Sequence, residues 1–112
     1  MKKTLTLLFI ALYLNASATT YYISSSGNDS ASGLSESTPW KTISKLNSSF
    51  YIIKPGDRIL FKRGDTFYGT INITKSGTSG SPIYFGAYGT GDKPVITGFT
   101  TVSSWTNNGS GI

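Results

Sequence analysis

Four short apolar alternations recur at a fixed interval along the second half of this chain, and that interval constrains the fold more than any other feature. The pairs are Ile59/Phe61, Ile71/Ile73, Ile83/Phe85 and Val95/Thr97, whose first members stand twelve residues apart each time. Gly77 and Gly89 keep the same interval, as do Gly86 and Gly98. An even repeat preserves the pleat phase, so successive strands turn the same face inward. Short strands spaced this regularly, with Gly, Ser, Asp and Pro between them, belong to a sandwich, a barrel or a solenoid. No Asn-Gly or Asp-Gly pair separates consecutive strands, which removes the strongest hairpin signal and leans the reading toward the solenoid.

Composition agrees with strands and turns. Ser, Thr and Gly fill 45 of the 112 positions and only 13% of residues are charged, a balance that does not suit a helical bundle. Aromatic and β-branched residues are plentiful, which excludes the signature of disorder. The length allows one small domain. The chain has no Cys and no His. Disulfides, thiolate metal sites, thiol nucleophiles and Ser–His catalysis are thereby removed.

The start of the chain reads as an address. Lys2 and Lys3 precede an apolar run over residues 5–14 (LTLLFIALYL), and Ala16-Ser17-Ala18 supplies a small-x-small cleavage pattern. Residues 1–18 are therefore expected to be a signal peptide, with a mature chain starting at Thr19 and a secreted, periplasmic or cell-surface destination. The run is shorter than the roughly 20 residues a membrane span needs, so no membrane anchor is expected. Loss of Lys2 and Lys3 lowers the formal charge from +5 to +3. A +3 surface is compatible with an acidic polysaccharide and equally with simple solubility, and gives nucleic-acid binding no support.

Residues 19–56 differ in character from the periodic half of the chain. Tyr21-Tyr22-Ile23 reads as a strand, and residues 24–37 (SSSGNDSASGLSES) as loop. Thr38 as N-cap and Pro39 at the first helical position predict an amphipathic helix of about ten residues, with Trp40, Ile43, Leu46 and Phe50 on its apolar face. Lys54-Pro55-Gly56-Asp57 predicts a tight turn. Beyond it, Arg58, Leu60 and Lys62 take the outward face of one strand, and Tyr84 and Tyr88 the outward face of another. Phe67 and Tyr68 fit core or surface. Asp29, Asp57 and Asp65 read as Asx-turn residues bonding their own backbone rather than as calcium ligands, so no metal site is expected in this segment.

Four segments occur in order: YYISSSGNDSASG (21–33), STPWKTISKLN (37–47), KPGDRILFKRGDTFYGT (54–70) and SPIYFGAYGTGDKPVITGF (81–99). Together they resemble the N-terminal region of secreted bacterial proteins with a right-handed parallel β-helix, the pectate-lyase-like superfamily. The resemblance implies an all-β fold in which residues 19–56 form a capping strand, loop and helix. Residues 57–112 then form the first coils, incomplete at the C-terminus. Trp40, Ile43 and Leu46 would plug the open end of the core, the cap that a solenoid's terminal coil requires. The resemblance also implies a carbohydrate-active parent, a polysaccharide lyase or glycoside hydrolase, with the remaining coils of the parent chain as this segment's partner. Catalytic Lys, Arg and Asp of that family lie on central coils. No catalytic, cofactor-binding or metal-binding residue therefore carries over to any position here, and the segment alone is expected to be inactive. Ca²⁺ belongs, if anywhere, to the full-length parent. A secreted, non-catalytic carbohydrate-binding or surface-adhesion module is the alternative, because fold does not fix function. In either reading Tyr84 and Tyr88 are the candidate glycan-facing residues, since aromatic rings pack against the C–H-rich faces of sugars.

Overall fold

The structure, a computed structural model, describes residues 18–98. The expected signal segment, apart from Ala18, and the chain beyond Gly98 lie outside the described residues. The elements are β1 (Thr20–Ile23), α1 (Ile43–Ser49) running into one 3₁₀ turn (Phe50–Ile52), β2 (Arg58–Lys62), β3 (Thr66–Tyr68), β4 (Tyr84–Tyr88) and β5 (Val95–Thr97).

Every strand pair is parallel. β2 lies between β1 and β4, and β3 pairs with β5 in a second, two-stranded sheet. Parallel neighbours cannot be joined by a tight hairpin, so each strand reaches its partner through a crossover. The crossover from β1 to β2 carries the helix, and the one from β2 to β4 carries β3. The register stacks Tyr21, Ile59 and Phe85 in one inward row and Ile23, Phe61 and Ala87 in the next. These rows meet Trp40, Ile43, Leu46, Phe50 and Phe67 in a single core. Phe67 resolves to the core at 3% exposure, edge-on to Phe61 at 5.1 Å between ring centroids, while Tyr68 beside it is exposed.

The twelve-residue interval is not the stacking repeat. Ile59 stacks on Phe85, 26 residues on, and Phe67 on Ile96, 29 residues on. Two strands, one from each sheet, occur within each such step, so the interval mixes steps within a coil with steps between coils. Ile71 and Ile73 form no strand, although Ile71 packs against the core. The Asn47 side chain takes the place of a ladder there. Its Nδ2 donates to the Thr70 carbonyl and its Oδ1 accepts from the Asn72 amide, each at 2.8 Å.

The helix starts later than its sequence signals predicted. Thr38 and Pro39 lie in non-helical chain, and Trp40 forms an isolated parallel bridge with Ile23, with its amide donating to the Tyr22 carbonyl at 2.9 Å. The Trp40 ring stacks on Tyr21 at 5.2 Å, and its Nε1 donates to the Ala31 carbonyl. These contacts hold the residue extended against β1, so Thr42 becomes the N-cap and accepts from the Lys45 amide. Phe50 falls past the helix, in the 3₁₀ turn. The three apolar residues expected to plug the core are nevertheless in it. Trp40, Ile43 and Leu46 are all buried, at 3%, 2% and 0% exposure. The predicted turn also forms, closed by the Asp57 amide on the Lys54 carbonyl with Gly56 at φ +89°.

Candidate functional site

Two surfaces bear on function: the outer face of the β1–β2–β4 sheet, and the uncovered end of the core beyond β4 and β5.

On the outer face the register lines up Thr20, Arg58 and Tyr84 in one row, Tyr22, Leu60 and Gly86 in the next, and Lys62 with Tyr88 in a third. Gly86 has a positional role here. A Cβ built on it would meet the Tyr84 ring at 2.5 Å, so the missing side chain is the space into which that ring folds. The Arg58 guanidinium lies 4.9 Å from the same ring's centroid. Tyr84 remains about half exposed. Tyr88 is more enclosed, edge-on to Tyr22 at 5.1 Å. Burial, together with the Glu36 and Asp65 carboxylates, pushes its hydroxyl above the ordinary tyrosine pKa, against the opposing effect of Ser24. Leu60 corrects an expectation: it points outward as predicted but is only 8% exposed, because the aromatic rows make this face a packed surface.

The carboxylates overturn a second expectation. Asp29 and Asp65 do not bond their own turns, and Asp57 bonds its turn only in part, at the Lys54 amide; the Asx-turn falls on Asn28, whose Oδ1 accepts from the Ser30 amide. Asp29 accepts from the Lys41 and Thr42 amides and from the Thr42 hydroxyl at 2.7–2.9 Å. Burial works to raise its carboxyl pKa, but these donors and the Lys45 charge outweigh it and hold the group below the ordinary carboxylate range. Asp65 accepts from the Ser25 amide at 2.9 Å and the Ser24 hydroxyl at 3.3 Å. Asp57, fully buried, accepts from the Thr19 and Lys54 amides at 2.9 Å and from Lys54 Nζ at 3.4 Å. The reason is topological. Loop amides have no strand partner, and a carboxylate satisfies one or two of them at once. Groups so engaged are structural staples. Among the described residues, no group of three or more His, Cys, Asp or Glu lies close enough to hold a metal ion.

The second surface was not singled out from the sequence. A cavity of about 470 Å³ opens between β4, β5 and the 71–73 segment, lined by Phe61, Ile71, Phe85, Ala87, Pro94 and Ile96, with Arg63 and Lys93 at its edge. Ile96 is 42% exposed and Val95 51%. The expected inward pair Val95/Thr97 is out of phase: Ile96, the register partner of the buried Phe67, faces the core instead, and Val95 and Thr97 pair with the exposed Thr66 and Tyr68.

No family model matches the chain. A lacto-N-biosidase of Bifidobacterium longum subsp. longum is 42% identical over 87 residues, taking in 72% of this chain and 5% of that protein. The crystal structure of a GH136 lacto-N-biosidase from Eubacterium ramulus matches with a TM-score of 0.63 at 34% identity, over 80% of this chain and 14% of the other. A rhamnogalacturonan lyase matches with a TM-score of 0.55 at 25% identity, over 70% of this chain and 22% of the other. The chain thus spans a small part of the length of each relative. Its homologues are carbohydrate-active proteins of β-helix-like architecture, glycoside hydrolases and a lyase among them.

Proposed function

We propose that this chain is the N-terminal cap and first coils of an exported, carbohydrate-active right-handed parallel β-helix enzyme, a glycoside hydrolase in preference to a lyase. The observation that carries the reading is the asymmetry of the stack. Trp40, Ile43 and Leu46 are sealed in the core toward one end, while toward the other Ile96, the register partner of the buried Phe67, is 42% exposed. The preference for a hydrolase rests on the higher identity to the two lacto-N-biosidases than to the lyase.

Glycoside hydrolysis uses two carboxyl groups facing one bond, about 5–5.5 Å apart for retention and about 6.5–9.5 Å for inversion. Asp29, Asp57 and Asp65 are committed to backbone amides and do not serve. The catalytic pair is assigned to coils stacked beyond β4 and β5, and this segment's part is to template them. Tyr84 is the glycan-facing group of the segment, and Tyr88, two register rows along the same face, is the more enclosed of the two candidates. Export follows the address read in residues 1–18, with cleavage after Ala18.

The test is to read the gene past the codon for Ile112 and assay the 112-residue chain and any longer product on a chromogenic lacto-N-bioside and on rhamnogalacturonan. Turnover of the glycoside by the longer product alone is the expected result. A stop codon at that point, or turnover by the 112-residue chain itself, overturns the proposal. Glycan binding without turnover by the longer product puts the non-catalytic module in its place.

A further inference from the structure

Asp57 is the most enclosed charge in the described chain, and its partners do not match it. It is fully buried, yet two of its three donors are neutral amides and the third is the ammonium of Lys54, whose side chain is 57% exposed and stands 3.4 Å away. A buried carboxylate held mainly by neutral donors carries an uncompensated desolvation cost. One of those amides belongs to Thr19, at 2.9 Å from Oδ1. Thr19 is the residue at which the sequence places the start of the mature chain.

We infer that the Ala18–Thr19 peptide bond is the processing point of this fold, and that the α-ammonium released there is held as an ion pair by Asp57. The inference rests on the export reading proposed for residues 1–18. In the cleavage, water adds across the bond: the C–N bond breaks, Ala18 leaves with a new carboxylate, and the Thr19 nitrogen becomes an ammonium. A signal peptidase supplies the catalysis. The nitrogen is already in place before the cut. The Thr19 carbonyl accepts from the Arg58 amide at 2.9 Å, and the next residue, Thr20, is paired with Arg58 at the start of β1. Ala18 is exposed, which leaves the bond reachable from solvent. Cleavage thus exchanges a neutral donor for a charged one at the same atom, and charge-assisted hydrogen bonds are about twice as strong as neutral ones.

The surroundings set the sign of the pH dependence. Asp57 favours the ammonium. Lys54 Nζ, 3.5 Å from the Thr19 hydroxyl, opposes it, and its exposure lets it turn to water. Tyr21 faces the pair as a neutral phenol, its hydroxyl pushed up by burial and by Asp57. Arg58 directs its guanidinium to the Tyr84 ring, away from the carboxylate. Asp57 is nearer than Lys54, so the α-amine is raised above its ordinary value of about 7.7–8.0. A raised amine stabilises fully below its unfolded pKa, and that stabilisation is lost as pH rises through the folded one.

The experiment compares melting temperatures from pH 6 to pH 10 for the protein of the complete reading frame begun at Thr19, the same protein begun at Ala18, and the Thr19 form with its α-amine acetylated. The Thr19 chain is expected to melt a few degrees above both others near neutral pH, with the gap closing above about pH 9. Equal melting at every pH overturns the ion pair. Asp57→Asn should abolish the gap; because that variant removes a buried group and can fail to fold, the acetylated and Ala18 chains decide the matter with Asp57 intact. Mass spectrometry of the product exported from the complete reading frame tests the processing point separately. A product beginning at Thr19 supports it, and any other N-terminus overturns it.

Discussion

The two ends of the stack are built from the same kinds of residue and are held in opposite ways. From Thr19 to Phe67 the inward side chains are essentially sealed: Ile23, Ile59 and Leu46 are at 0% exposure, and the crossovers are pinned by Asp29, Asp57 and Asp65. From Gly69 onward β4 and β5 continue the stack in register, but among the described residues their inward side chains are less covered. Phe85 and Ile83 are only partly buried and Ile96 is 42% exposed. Burial in a stacked coil depends on a layer above and a layer below. A strand's own sequence therefore does not determine how deeply it lies. Ile59 and Ile96 have the same side chain on strands of the same kind and differ by what stacks on them.

The largest expected effect breaks the comparison at one stacked pair. Phe67 and Ile96 are register partners on β3 and β5. Phe67→Ala should destabilise the fold by about 3–5 kcal/mol, the range for emptying a sealed aromatic site. Ile96→Ala should lose only about 1 kcal/mol, since much of its surface is already in water. Urea midpoints of the two variants measure both. An Ile96→Ala effect as large as that of Phe67→Ala would mean that β5 is covered in solution and that the end is not open.

Second in size is Gly33. It sits at φ +74°, and a Cβ there would meet the Trp40 ring at 2.6 Å. Gly33→Ala therefore combines left-handed strain with overpacking against the cap, about 2–4 kcal/mol in all. Gly91, at φ +108° beside β5, has nothing within 4 Å of its Cβ position. Gly91→Ala should show the strain alone, about 1–2 kcal/mol. Thermal melts showing equal losses would remove the distinction between a packed and an open end.

These contrasts mark what the sequence could and could not tell. The parallel, solenoid-like arrangement was legible because alternation and the lack of hairpin turns are local signals. The burial of Trp40, Ile43 and Leu46 was legible from their spacing. The helix start was not: Thr38-Pro39 is a sound local signal, overridden by a tertiary contact between Trp40 and Tyr21. Nor was the coil length, since the step from Ile59 to Phe85 includes β3 and the Asn47-held segment, which periodicity counts as equivalents. Asp29 and Asp65 were misread because an Asx-turn is decided by neighbours two residues away, while their donors lie 12 to 41 residues away along the chain; Asp57 does bond its own turn, at the Lys54 amide, but also holds the distant Thr19 amide. The candidate site divides similarly. The outward setting of Tyr84 and Tyr88 follows from alternation, but the fold of Tyr84 over Gly86 needs the ring's rotamer.

A third, smaller effect concerns the staples at the closed end. Asp29→Ala removes three donors' common acceptor at the start of α1 and should destabilise by about 1–2 kcal/mol near pH 6. The Asp29 carboxyl is held low in the folded state, so its contribution is present above the unfolded value of about 3.9 and is lost as pH falls through the folded one. The gap between Asp29→Ala and the unaltered chain should therefore narrow on acidification below about pH 4. A gap that stays constant down to pH 2 would show that the carboxylate's charge is not what holds the helix start.

The smallest effect sits on the seam between the two regions. Arg58 belongs to the sealed strand β2 and Tyr84 to β4, and their contact at 4.9 Å is the outer-face counterpart of the inner row from Ile59 to Phe85. An exposed cation–π contact contributes about 0.5–1 kcal/mol. A double-mutant cycle of Arg58→Gln and Tyr84→Leu should return a coupling of that size, and it should persist at high salt better than an exposed ion pair would. The inner row alone predicts zero coupling here. If zero is found, the outer face adds nothing to joining the regions, and the Tyr84 ring is then held only by the gap that Gly86 leaves for it, a placement a sugar could share without displacing an arginine.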